Sequence, residues 1–307
     1  MKLASLDLGT NSFLLLIANY DQKNQFKVLR DEMRIVRLGQ DLAQSGRLHP
    51  EALARARTCL QEFSDIIHEE KVEMVRAVAT AAAREAQNAG DFFKICQDFK
   101  IPIEIISGDE EAKMSFQGAI PSGEKRKVLL IDIGGGSTEY IVGTPAVTHF
   151  SLSLPYGALK LTEMFIHKQP VSPSEEKSLR NYIAQQTEKT WRDIGGLRPE
   201  KIVAVAGTPT SLAAAILGGF DQKRIDGLSI DRETLGEWVA KLRNSSVEEK
   251  KNLYGFGARA EIIFAGIVIL DELLTALRMD SLEVSTKGIR YGLAYKMASH
   301  LQRHLLD

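Results

Sequence analysis

An α/β protein is what this sequence predicts, and three observations carry the expectation. Strand-like apolar runs alternate with segments of helical spacing along the whole chain. Its 307 residues suffice for two domains with separate cores. One short motif also occurs twice: Asp7-Leu8-Gly9-Thr10-Asn11-Ser12 returns as Asp132-Ile133-Gly134-Gly135-Gly136-Ser137. Each copy follows an apolar run (Leu3 to Leu6; Val128 to Ile131) and leads into another (Phe13 to Ile17; Glu139 to Val142). That order describes a β-hairpin with a small, hydroxylated tip. Glycine lets the backbone approach closely and take positive φ, and exposed N–H groups with Ser/Thr hydroxyls make an anion nest. Gly9, Thr10, Asn11 and Ser12 of the first tip, and Gly134, Gly135, Gly136, Ser137 and Thr138 of the second, are therefore expected to bind phosphate. Two such tips in a duplicated fold would grip one phosphate chain from both sides of a cleft. Neither is a P-loop, since no Lys follows the glycines and no helix begins there.

Between the hairpins, Leu53, Ala56, Leu60, Phe63 and Ile67 recur at helical spacing after Pro50, a residue suited to a helix start. Met74 to Val78 reads as a short strand running into the small-residue stretch Ala79 to Ala83. Ile101 to Ile106 reads as a strand, and Gly108 opens a helix. Beyond the second hairpin, His149 to Leu154 is a strand, and Ser172-Pro173-Ser174-Glu175-Glu176 combines a cap residue, a first-turn Pro and early acids. Ile202 to Ala206 is a buried-type strand ending in Gly207-Thr208-Pro209-Thr210-Ser211, with a helical run to Leu217. Gly218 to Ser229 is a loop-rich connection. Arg259 to Arg278 is expected as one long apolar helix, Leu282 to Ser285 as a strand, and Gly288 onward as a final helix.

Composition narrows the function classes. With 39 basic and 40 acidic residues, the net charge of −1 argues against a dedicated nucleic-acid binder. Lys125-Arg126-Lys127 reads as a solvated loop. No apolar run approaches the roughly 18–20 residues of a membrane span, and the N-terminus enters a strand without a cleavage-site pattern. Cys59 and Cys96 fit neither a metal clip nor a disulfide framework and read as reduced core thiols. A cytoplasmic protein is expected.

The chemistry lies in carboxylates beside the tips. Asp7 and Asp132 would repel a phosphate unless Mg²⁺ lay between them; the alternative is a turn-stabilising role. Glu139 lies on Ser137's side of its strand by period-two alternation and is a further metal candidate. Glu110 and Glu111 stand in the first turn of a helix, where the macrodipole favours acids in any case. That helix follows a strand end, where α/β proteins place ligands, and a carboxylate there can deprotonate a water. Arg84 can clamp phosphate oxygens. Gly207 and Thr208 begin a third hydroxylated turn, at a helix N-terminus suited to phosphate. Lys287, Gly288 and Arg290 face either the same cleft or solvent.

Together these residues resemble the exopolyphosphatase/guanosine pentaphosphatase (Ppx/GppA) family of the actin/sugar-kinase/Hsp70 superfamily. The likeness rests on Asp7 to Phe13, Ala79-Thr80 with Arg84, Ile105 to Ala112, Asp132 to Glu139, Gly207-Thr208, and Val284-Ser285 with Gly288 and Arg290. It implies two actin-like (ribonuclease H-like) domains with an interdomain active-site cleft: 1–118, with the C-terminal helix 293–307 packing back on it, and 119–292. It further implies that Glu111 is the catalytic base, that Asp132 and Glu139 lie near Mg²⁺ and the terminal phosphate, and that Arg84 contacts phosphate. The sequence departs from the family in two places. It ends without the extra C-terminal helical domains of long members, which implies a preference for short or intermediate polyphosphate. Tyr291 stands where an acid often follows Arg290.

The leading expectation is a Mg²⁺-dependent hydrolase releasing terminal orthophosphate from polyphosphate, with guanosine pentaphosphate (pppGpp) as the alternative substrate. A superfamily kinase, a non-catalytic (p)ppGpp or polyphosphate regulator and a filament protein remain as other classes. A homodimer without nucleic-acid or membrane partners is expected.

Overall fold

Three antiparallel strands followed by parallel ones recur in both halves of the chain. The computed structural model describes residues 1–20 and 26–304, with only the backbone for 300–304. It divides into two units, the first comprising Met1–Gly118 with the chain from Gly288 on, the second Ala119–Lys287.

In the first unit, β1 (Lys2–Leu8), β2 (Ser12–Tyr20) and β3 (Phe26–Ile35) form a meander. It is followed by α1 (Leu42–Ser45), α2 (Pro50–Glu69), β4 (Met74–Ala79), α3 (Ala81–Glu85), α4 (Ala89–Asp98), β5 (Ile103–Ile105) and α5 (Gly108–Ala119). The sheet runs β3-β2-β1-β4-β5, with β1, β4 and β5 parallel. Central β1 is buried on both faces, Ala4, Leu6 and Leu8 on one and Leu3, Ser5 and Asp7 on the other, as a strand covered on both sides requires. Phe13, Leu60, Phe63 and Phe92 fill the core on one side. Burial pushes the Cys59 and Cys96 thiols, on α2 and α4, up to about 12. The strand expected over 101–106 shrinks to Ile103–Ile105, because Pro102 has no N–H for the ladder and offers only its carbonyl, to Ala77 N. β3 escaped the sequence reading: Lys27, Arg30, Asp31, Glu32 and Arg34 hide its alternation, as suits an edge strand paired only with β2.

The second unit repeats the pattern with β6 (Val128–Ile133), β7 (Thr138–Gly143) and β8 (Thr148–Leu154). Then come α6 (Ala158–Phe165), α7 (Pro173–Leu197), β9 (Lys201–Val205), α8 (Gly207–Leu217), α9 (Gln222–Ile225), β10 (Ser229–Asp231), α10 (Arg232–Arg243), α11 (Val247–Asn252), α12 (Ile263–Leu277) and β11 (Ser281–Val284). Strand order is β10-β11-β9-β6-β7-β8, with β6, β9 and β11 parallel. Ser172 and Glu175 form the capping box that starts α7. Two expectations change. The helix expected from Arg259 begins at Ile263, after a single 3₁₀ turn over Gly257–Arg259. The stretch 218–229 is not plain loop, since it holds α9 and the start of β10. Among the described residues, no helix is long and apolar enough to cross a membrane.

The last helix, α13 (Ile289–His304), belongs to the first unit, so the second boundary falls at Lys287/Gly288 instead of 292/293; the expected helix end at 305–307 lies outside the described residues. The reason is a glycine crossing of α5 and α13. A Cβ at Gly118 would overlap the Gly288 carbonyl oxygen, and one at Gly292 the Met114 carbonyl oxygen. Arg290, its side chain 11% exposed, is bidentate on Asp31, at 2.7 and 2.8 Å, and its own carbonyl accepts from Ser5 Oγ at 2.7 Å. Tyr291, the departure from the family pattern, donates its hydroxyl to Asp31 Oδ2 at 2.9 Å. Lys287 pairs with Asp226 at 3.1 Å. Arg290 and Lys287 thus serve ion pairs within their own units.

Gly292→Ala should therefore lower stability by about 1–3 kcal/mol, the usual range for overpacking. Gly196→Ala, in α7 with nothing near its Cβ position, should be neutral or slightly stabilising. Urea unfolding of both variants checks this; equal effects would remove the crossing from the account.

Candidate active site

The C-terminal edge of the parallel strands in the first unit collects four of the predicted groups. Asp7 pairs with Val78, Leu8 with Ala79, and Ala79 with Ile105. The Gly9–Ser12 tip, Thr80 with Arg84 on α3, and Ser107 to Glu111 at the start of α5 thus leave one sheet edge together. This is the edge at which open α/β sheets bind ligands.

The tip closes by Gly9 N donating to Ser12 O at 3.1 Å. Its other carbonyls are turned away: Thr10 O accepts from Gly39 N at 2.9 Å, and Asn11 O from Val36 N and Arg37 N at 3.0 and 2.9 Å. In a planar peptide the N–H points opposite to the C=O, so carbonyls bound on one side present N–H groups on the other, as an anion nest needs. Gly9 and Gly134 are not at positive φ, contrary to expectation. Closeness is what favours glycine here, since a Cβ at Gly9 would stand 3.1 Å from Ser12 O.

The two adjacent glutamates separate cleanly. Glu110 is exposed and caps α5: its carboxylate accepts from Ser107 N at 2.9 Å and Ser107 Oγ at 2.8 Å, while Glu110 N donates back to Ser107 Oγ at 3.3 Å. These Ser107 bonds hold its carboxyl below the ordinary glutamate range. Glu111 is only 5% exposed, and Arg84 Nη1 lies 3.4 Å from its Oε2. The same nitrogen donates to Ile106 O at 2.8 Å, fixing Arg84 across the start of α5. A buried carboxylate beside a half-exposed guanidinium at a sheet edge can take a proton from water next to an anion.

The second unit carries its own set. Gly134 N donates to Ser137 O at 3.0 Å, and the carbonyls of Gly134 and Gly135 accept from the first turn of α6, through Ala158, Leu159 and Lys160 N. Ser137 is buried, and Thr138 Oγ1 donates to Tyr156 O at 2.8 Å, so this hydroxyl is engaged in the core. Asp132 pairs with Val205 across β6 and β9, bringing the turn at Gly207 and Thr208 to the same sheet edge as Gly134, Gly135 and Gly136. Ala206, before that turn, sits at φ 73. Sequence reading missed Arg259. Its guanidinium occupies the space that a Cβ at Gly207 would fill, and burial pushes its pKa down to about 10. The one cue in the chain is the glycine-rich stretch Gly255-Phe256-Gly257 before it.

For Mg²⁺, no group of three or more His, Cys, Asp or Glu side chains gathers among the described residues. The second unit does offer a pair: Asp132 and Glu139 stand directly opposite each other in the β6–β7 ladder and so project from one face. They are 6% and 0% exposed, and Glu139 Oε1 accepts from Ser153 Oγ at 2.7 Å. Mg²⁺ takes one or two carboxylates and completes its shell with water and phosphate oxygens. The pair fits the ion. In the first unit, Asp7 leads into a tip where Asn11 Oδ1 is buried without a hydrogen-bond partner among the described residues.

Comparison with known proteins finds whole-chain relatives. A model of the Ppx/GppA phosphatase family matches residues 16–301. Exopolyphosphatase 2 of Mycobacterium tuberculosis is 33% identical over 317 residues, covering 97% of this chain and 98% of its own. An exopolyphosphatase structure from Cytophaga hutchinsonii aligns with a TM-score of 0.91 at 25% identity, over 98% of both chains. The Aquifex aeolicus Ppx/GppA family member aligns with a TM-score of 0.79 at 28% identity, over 99% of this chain and 98% of that one. These structures share the mixed α/β, actin-like architecture of the two sheets.

The capping role of Glu110 carries a pH signature. Its pKa is depressed in the fold, so its contribution is present above the ordinary glutamate range and lost as pH falls through the lower, folded value. Urea midpoints of wild type and Glu110→Gln should differ at pH 7 and converge toward about pH 3. A difference that stays constant with pH would place the effect outside the carboxylate.

Proposed function

The chain belongs to the Ppx/GppA phosphatase family and is a phosphoanhydride hydrolase, and on that premise we propose that it releases terminal orthophosphate from inorganic polyphosphate with Mg²⁺ as its cofactor. The observation that carries the reading is the Glu111–Arg84 contact at the sheet edge that also bears the Gly9–Ser12 tip. Glu111 orients a water and takes its proton. Arg84, half-exposed beside it, offers its guanidinium to the oxygens of the phosphate under attack. Within the first unit Thr10, Asn11 and Ser12 offer N–H groups and hydroxyls to phosphate oxygens, and within the second Gly135, Gly136 and Ser137 do the same, with Gly207 and Thr208 as a further donor turn at that unit's sheet edge. Asp132 and Glu139 of the second unit would hold the metal, and Asp7 is the corresponding carboxylate of the first. When bound, Mg²⁺ supplies charge neutralisation to a transferring phosphoryl group.

Polyphosphate is favoured over a nucleotide because the groups assembled here recognise phosphate, and many equivalent phosphates can be held without reading a base. The Mycobacterium tuberculosis relative, an exopolyphosphatase alike over nearly the whole of both chains, points the same way. Phosphate release from polyphosphate and from guanosine pentaphosphate, run side by side at matched Mg²⁺, tests the reading. A higher kcat/KM on polyphosphate is expected, and a higher value on guanosine pentaphosphate would replace it.

The metal assignment makes a separate demand. Asp132→Asn should raise the Mg²⁺ concentration needed for half-maximal rate, with excess Mg²⁺ partly restoring activity. Full activity in EDTA would contradict it.

A further inference from the structure

The ladder registers of the second unit line up one row of residues across its sheet. Ser153 of β8 stands opposite Glu139 of β7, Glu139 opposite Asp132 of β6, and Asp132 opposite Val205 of β9. Residues paired in this way project from one face. By alternation it is the face opposite to the one from which Ile131, Ile133, Tyr140 and Val142 enter the core. The neighbouring row on the same face reads Ser151, Ile141, Leu130 and Val203. Its last three members are apolar and buried. Asp132 and Glu139 therefore sit side by side at the sheet edge, just beyond an apolar row.

Two carboxylates directly opposite one another weaken a ladder, and buried ones persist where donors or a cation meet their oxygens. Ser153 supplies one such donor: its Oγ donates to Glu139 Oε1 at 2.7 Å, the length of a hydroxyl bound to a charged acceptor. Strand positions favour β-branched and aromatic residues. A serine at the end of the edge strand β8 brings little to the ladder except this hydroxyl. A bond to one carboxylate oxygen also restricts rotation of the whole group, and here the donor lies in the same row as the neighbouring carboxylate.

We propose that Ser153 is a positioning residue for the metal: its hydroxyl fixes the Glu139 carboxylate beside Asp132, so that the pair is set to take a hydrated divalent cation. This rests on the Mg²⁺ reading above. Hydrogen-bond partners behind a ligating group orient it, and losing one typically costs roughly 10–100-fold in metal affinity. The loss therefore falls on Mg²⁺ demand more than on kcat at saturating Mg²⁺.

The test compares wild type, Ser153→Ala and Ser153→Thr in two readouts: the Mg²⁺ concentration at half-maximal phosphate release from polyphosphate, and Tm without substrate across a Mg²⁺ series begun from EDTA-treated protein. Ser153→Ala should need roughly 10–100-fold more Mg²⁺ for half-maximal rate. Its Tm should begin to rise only at correspondingly higher Mg²⁺, because an ion that binds the folded state stabilises it by mass action. Ser153→Thr keeps the hydroxyl and should restore both. Unchanged Mg²⁺ demand in Ser153→Ala would overturn the assignment alone. A lower Tm in EDTA with that demand unchanged would make Ser153 merely structural and would also overturn it, as would a shift that Ser153→Thr fails to restore. Wild-type protein that is fully active in EDTA, with a Tm indifferent to Mg²⁺, would overturn the metal reading and this inference with it.

Discussion

One backbone hydrogen bond closes each hairpin, Gly9 N to Ser12 O at 3.1 Å and Gly134 N to Ser137 O at 3.0 Å. The same carbonyl crowds any side chain there, since a Cβ at Gly9 or Gly134 would stand 3.1 Å from it. The turn must be that tight for Thr10 and Asn11, or Gly134 and Gly135, to hold their carbonyls against neighbouring main chain. Everything proposed for phosphate follows from that orientation, because a peptide unit with its C=O engaged has its N–H directed the other way. The two units meet the requirement with different parts: a strained loop after β3 in one, the first turn of α6 in the other.

Much of this was legible in the sequence because the hairpin signal is local. An apolar run, Asp, Gly, a hydroxyl and a second apolar run specify both strands and their turn without reference to the rest of the fold. What was illegible depended on tertiary partners. Glu110 and Glu111 read identically as first-turn acids, and only folding shows Ser107 taking one carboxylate while the other turns inward toward Arg84. β3 was hidden by its charges, and Arg259 by the apolar run that follows it. Of the two reasons the sequence offered for glycine at the tips, close approach holds and positive φ does not.

Tyr291 shows how a departure from a family pattern becomes intelligible in place. Its hydroxyl completes the hydrogen bonding of Asp31, which already holds Arg290 in a bidentate pair. A buried ion pair is costly unless its remaining lone pairs are satisfied. The tyrosine supplies that third donor and ties α13 to the edge strand β3. The glycine crossing with α5, the helix that begins beside Glu111, fixes the same helix from its other side.

The central claim is that burial and the Arg84 contact assign the base to Glu111 and leave Glu110 a capping role. Steady-state phosphate release by Glu111→Gln and Glu110→Gln, with equilibrium binding of polyphosphate to each, tests it most directly. The account predicts that Glu111→Gln loses roughly 10²–10⁴ in kcat, the usual share of a general base, while still binding polyphosphate, and that Glu110→Gln stays near wild type. Equal losses at the two positions would contradict it.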